Sequence, residues 1–71
     1  MRGDVMELQV APVDRIIRNA GARRVSEQAA KALVRYLEDY AADVAARANA
    51  YAKHAGRKTV TAEDIRLAAR A

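Results

Sequence analysis

Between Ser26 and Gly56 the chain holds neither glycine nor proline, and its apolar side chains recur with the period of a helix. Projected at about 100° per residue, Ala30, Leu33, Val34, Leu37, Tyr40, Ala41, Val44, Ala48, Tyr51 and Ala52 share one stripe about 120° wide. Lys31, Arg35, Asp39, Asp43 and Lys53 lie opposite. The stretch predicts a single helix of roughly 30 residues, about 43 Å long. Helices in globular proteins average about 11–12 residues. In a chain of 71 residues the flanking segments cannot cover such a stripe, so in one copy its middle would face water. Two copies crossing each other would bury it. The pattern therefore predicts a dimer.

Size leads to the same place. A domain this short buries only about 60% of its unfolded surface and needs a staple. With no Cys and one His, disulfides, thiolate metal sites and multi-His metal sites are excluded. Oligomerisation is the remaining route to stability. The apolar share is 52% with no Phe or Trp, much of it Ala, which suits closely packed helices rather than a deep aromatic core. No apolar run approaches about 18 residues, so no transmembrane helix is expected. Met1–Leu8 lacks the long apolar stretch of a secretory signal, and a cytoplasmic product is expected. Thirteen Lys and Arg against nine Asp and Glu leave a net charge of +4. That balance points towards nucleic acid or another anionic surface.

Short helices flank the long one. The single Pro, Pro12, is expected at the first helical position, where its missing N–H costs nothing. Val13, Ile16, Ile17 and Ala20 then mark an apolar stripe, with Arg15 and Arg18 opposite, Asp14 in the first turn and Gly21 as the C-terminal stop. A loop, Ala22–Val25, carries Arg23 and Arg24 before Ser26, the expected N-cap of the long helix. A second basic loop, Ala55–Val60, precedes Thr61, the expected cap of a third helix, with Asp64 placed for a capping box. Ile65, Ala68 and Ala69 are its expected inner face, and Leu67, about 160° from Ile65, implies a second contact. The fold class is all-α, with one domain over residues 10–71 and a short flexible extension over residues 1–9.

Short helix, long helix, short helix, joined by basic loops, resembles the archaeal histones. The resemblance runs from about Leu8 to Ala69. It rests on Ala11-Pro12-Val13-Asp14-Arg15-Ile16-Ile17-Arg18, on Ala20-Gly21-Ala22-Arg23-Arg24-Val25-Ser26, and on Ala52 through Ile65 with its string HAGRKTVTAEDI. It implies a histone fold assembled as a head-to-tail handshake homodimer, with the first loop of one chain beside the second loop of the other. Each end of such a dimer presents a paired-loop site for double-stranded DNA, and the two first helices make a central one. The family further implies higher assemblies that wrap DNA on the chromosome, as the nucleosome core does, and pairing with related histones. It implies no cofactor, metal, membrane or small-molecule substrate.

Site residues follow from the same resemblance. Arg15 corresponds to the arginine that enters the minor groove from the first helix, where narrow grooves attract guanidinium groups without base reading. Asp14 stands where a small residue is common, and a carboxylate there would weaken that contact. Arg24 and Thr59 match an arginine–threonine pair formed across the dimer, with Lys58 on a phosphate; Arg18, Arg23 and Lys53 are secondary phosphate contacts. Arg57 and Asp64 match a structural salt bridge. Tyr51, His54, Asp64 and Leu67 match the contact between dimers, and Tyr51 is bulkier than the aliphatic residue expected there. Read without the family, His54 is a favourable partner for a helix C-terminus, and Arg15, Arg24 and Lys58 are solvated charges. Gly21 reads both as a helix stop and as the glycine where wrapped dimers stack.

Three functions compete. The first is an architectural protein that packages DNA with little sequence preference. The second is a histone-fold subunit of a transcription-related complex, which would favour degraded basic loops. The third, an enzyme, finds no nucleophile–base pair among one His and no Cys.

Overall fold

The computed structural model describes residues 8–70 and contains three helices, α1 (Val10–Asn19), α2 (Glu27–His54) and α3 (Ala62–Arg70). No strand occurs among the described residues. The order short, long, short is the one expected, and α2 runs unbroken for 28 residues. The extension expected over residues 1–9 falls outside the described residues except for Leu8 and Gln9. Two compact units divide the chain between Asp39 and Tyr40, so that each contains part of α2.

In the first unit, α1 starts at Val10, two residues ahead of the expected Pro12. Pro12 is still in the first turn, whose N–H groups have no intrahelical acceptor, so its ring is tolerated there as well as at the first position. Asp14 consequently lies beyond the first turn, which holds no acidic residue. The helix ends where expected. Gly21 N–H donates to Arg18 C=O at 3.0 Å and Ala22 N–H to Ile17 C=O at 3.4 Å, a Schellman closure that requires the positive φ of 120° at Gly21. Ser26 then caps α2, its Oγ accepting from Ala29 N–H at 3.0 Å.

Burial in this unit is narrow. Val13 is the buried residue of α1, whereas Ile16 is 58% exposed and Ala20 is exposed. On α2 the buried positions are Ala30, Val34 and Glu38, a row spaced by four. Glu38 is 7% exposed, and its Oε2 accepts from Leu8 N–H at 2.8 Å, which fixes the chain just ahead of α1.

In the second unit, Val44, Ala48 and Ala68 form a buried cluster with Tyr51 packed against it, and Ala52 is buried as well. Arg47 ties α2 to the end of α3. Its Nη1 donates to Asp43 at 2.7 Å and its Nη2 to Ala68 C=O at 3.0 Å, a cation placed at the negative end of a helix. Its Nε–H is buried and unpartnered among the described residues. The end of α2 repeats the closure of α1, with Gly56 N–H on Lys53 C=O and Arg57 N–H on Ala52 C=O, both at 2.9 Å.

Of the inner face expected for α3, Ala68 is buried, and Asp64 joins it in place of Ile65 and Ala69. Ile65 is 40% exposed and Ala69 is exposed. The reason is the capping box. Thr61 N–H donates to Asp64 Oδ2 at 2.9 Å, Asp64 N–H donates back to Thr61 Oγ1 at 3.3 Å, and Arg57 closes over the same carboxylate. This turns the Asp64–Ala68 row inward and leaves Ile65 outside. Along α2, the stripe read from the sequence is buried at both ends and open in the middle, where Tyr40 and Ala41 are exposed.

Candidate nucleic-acid interface

The cationic side chains of interest sit on exposed helix faces and in the two loops, and each unit presents its own set. In the first unit Arg15 projects from α1, and Arg23 and Arg24 occupy the loop between the Schellman closure at Gly21 and the Ser26 cap; all three are exposed. None of their side chains enters an ion pair among the described residues. Arg18 differs. Its Nε donates to Asp14 Oδ2 at 3.0 Å, and its Nη1 donates to the backbone carbonyl of Arg23 at 3.3 Å. Asp14 is thus paired with Arg18 one turn on, an i,i+4 arrangement that helices favour. Beside this pair lies an open groove of about 400 Å³, floored by Val10, Ala11, Val25 and Ala30.

The second unit builds its basic turn on one buried carboxylate. Asp64, 3% exposed, receives Arg57 through both oxygens, Nη1 to Oδ2 at 2.8 Å and Nη2 to Oδ1 at 3.0 Å. Nη1 also donates to Thr59 C=O at 3.1 Å. The guanidinium therefore ties the turn at both ends, and Lys58 and Thr59 stand exposed between. The Arg57 hydrogen bonds, followed by the Thr61 backbone N–H, hold the Asp64 carboxyl well below the usual carboxylate range. The same hydrogen bonding raises Arg57 above its ordinary value. A charge-assisted bidentate pair of this geometry is among the stronger polar contacts a small protein makes.

The other residues singled out from the sequence are dispersed over this unit. Lys53 and His54 close the last turn of α2, both exposed, and Leu67 is 47% exposed on α3. Tyr51 is half-buried against the Val44–Ala48–Ala68 cluster. Asp64 lies beneath Arg57. Sequence reasoning missed Glu38, Arg47 and the Asp14–Arg18 pairing; the i,i+4 spacings Asp14/Arg18 and Asp43/Arg47 were the available signal. Among the described residues there is no group of three or more His, Asp or Glu able to hold a metal ion. No described helix is long and apolar enough to cross a membrane.

Three helices in this order, with two Schellman-closed turns and a basic loop locked by Arg57 and Asp64, define a histone-fold protein. Within that class, the chain belongs to the family of histone-like transcription factors (CBF/NF-Y) and archaeal histones, whose family model matches residues 6–69. It is 65% identical over 65 residues to one of the subunits of archaeal histone HAN1 from Thermococcus zilligii, covering 92% of this chain and 97% of that one. It is 50% identical over 64 residues to probable archaeal histone 3 of Methanocaldococcus jannaschii, covering 90% and 96% of the two chains.

Proposed function

We propose that this protein packages double-stranded DNA on the chromosome as an architectural histone, without enzymatic activity. It acts as a handshake homodimer that binds phosphates and minor grooves with little sequence preference. The observation that carries this reading is the turn at residues 57–59. An internal ion pair is used to display Lys58 and Thr59 outward, between the ends of α2 and α3, where backbone N–H groups and cations together suit a phosphate. Arg24 with Thr59 from the partner copy, and Arg15 from each first helix, supply minor-groove contacts in the dimer; Lys53 and Arg23 add phosphate contacts. Tyr51, His54, Asp64 and Leu67 form the contact through which dimers associate into higher assemblies.

A second reading keeps the fold and changes the partner. One relative carries a name that makes it part of a multi-subunit histone, and the family description spans transcription factors as well as histones, which supports pairing with a related chain. Binding to an arbitrary duplex by the purified chain alone discriminates the two. As a DNA-packaging homodimer, its log affinity falls with log salt by about 0.9 for each phosphate neutralised, and Lys58→Ala lowers that slope by about one per engaged site. A flat salt response, or binding only after a second histone is added, favours the heteromeric reading.

A further inference from the structure

Asp14 is a carboxylate on the helix that also carries Arg15 and Arg18, in a protein of net charge +4. Simple electrostatics makes it a liability for DNA binding, since its removal adds one positive charge at the binding face. The geometry points to the opposite role. We propose that Asp14 and Arg18 form a positioning relay that sets the first basic loop, so that Asp14 strengthens DNA binding; the inference rests on the DNA-packaging reading above.

The relay has two links. Asp14 Oδ2 holds Arg18 Nε at 3.0 Å, and Nη1 of the same guanidinium donates to Arg23 C=O at 3.3 Å. A guanidinium is planar, so tying Nε fixes the direction in which Nη1 points. The loop it reaches has no regular structure from Ala22 to Ser26. Its two ends are set by Gly21 and by the Ser26 cap. Between them, the bond from Arg18 is the one side-chain bond to the loop backbone among the described residues. Arg23 and Arg24 are the residues whose backbone it orients. Arg18 is thus a positioning residue; its guanidinium is engaged at the exposed surface by Asp14 and the loop carbonyl. Exposed pairs of this kind are individually weak, so the expected effect is moderate in size and decided by its sign.

The test compares wild type, Asp14→Ala and Asp14→Asn on one arbitrary duplex across a salt series. Both variants remove the same charge, but Asn keeps an oxygen able to accept from Arg18 Nε. The relay predicts that Asp14→Ala binds roughly two- to fivefold more weakly with no steeper salt slope, and that Asp14→Asn lies closer to wild type. Tighter or unchanged binding by Asp14→Ala, or a slope steeper by about one because Arg18 has turned to a phosphate, overturns it. Ala is the better helix former, so loss of fold is not expected; circular dichroism checks this. Backbone ¹⁵N order parameters of Arg23–Val25, measured without DNA, give an independent reading. They fall in Asp14→Ala if the relay operates, and identical values overturn it. Should wild type itself fail to bind duplex DNA, the packaging reading falls and the order parameters alone decide the relay.

Discussion

At the scale of single residues, Asp64 does the most with the least exposure. One carboxylate caps α3 through Thr61, anchors Arg57, and through Arg57 fixes the carbonyl of Thr59. Burial opposes the charged form, but the Arg57 and Thr61 hydrogen bonds outweigh it, and the carboxyl titrates below its ordinary range. In the unfolded chain it titrates near the ordinary aspartate value of about 3.9. Because the folded value is the lower one, the unfolded state binds the proton first as pH falls. The stabilisation is therefore complete at neutral pH, begins to fade as pH drops through about 4, and continues to fade below that. Urea midpoints measured from neutral to acid pH should show it. Wild type holds level and then declines, whereas Asp64→Asn starts lower at neutral pH and declines less. Parallel curves for the two proteins would remove Asp64 from the account of acid sensitivity.

At the scale of elements, the helix ends were largely legible in the sequence and the helix faces only in part: Val13 on α1 and Ala30, Val34, Val44, Ala48 and Ala52 on α2 are buried as expected. Ser26, Thr61 and Gly21 act where their chemistry placed them, because caps are local rules that few tertiary contacts override. The face of α3 was misread in part because the hydrophobic rule pointed inward with Ile65, while the buried position went to a carboxylate satisfied by three hydrogen bonds. Glu38 escaped for a related reason: its partner, Leu8 N–H, is distant in sequence and no spacing rule marks it; for Arg47 the spacing to Asp43 was readable, but its bond to Ala68 C=O was not. At the candidate site, the basic loops could be read from composition and the family match. The i,i+4 spacing was a signal for the Asp14–Arg18 pair, but nothing in the sequence marked the bond from Arg18 to the Arg23 carbonyl. The two Schellman turns also make a prediction. Gly56 has φ of 76° and Gly21 of 120°, and a Cβ at either would meet open space, so conformation alone sets the cost. Gly56→Ala should destabilise by about 1–2 kcal/mol. Gly56→Asn should recover part of that loss, since Asn tolerates the left-handed region. At Gly21, farther from the left-handed minimum, Asn should recover little. Thermal melts at one fixed protein concentration check both, and an Asn rescue of equal size at the two sites would contradict the argument.

At the scale of the whole molecule, the question is what covers the apolar surface that one chain leaves open. Among the described residues, the buried apolar positions are three valines and four alanines, with no large aliphatic or aromatic side chain among them. Meanwhile Ile16 and Tyr40 are 58% and 48% exposed, and Leu33 and Leu37 are only half-buried. Full burial of a Leu or Ile side chain contributes about 1.5–3 kcal/mol, so hydrophobic stabilisation from these side chains is left partly unrealised in one copy. A second copy crossing α2 at Tyr40 and Ala41 would realise it, and folding would then be coupled to association. The urea midpoint of wild type should accordingly rise with protein concentration, as it must when the folded state is a dimer and the unfolded state is not. Tyr40→Glu should also be severe. On a lone chain a charge at a half-exposed helical position falls within the usual surface range of about ±0.5 kcal/mol, whereas inside a dimer seam it is an unpaired buried charge. Sedimentation of Tyr40→Glu should therefore show loss of the dimer, accompanied by loss of helical signal and of DNA binding. A wild-type midpoint constant over about a hundredfold range of concentration, for which mass action predicts a clear shift, together with a benign Tyr40→Glu, would mean that the open stripe on α2 is simply solvated.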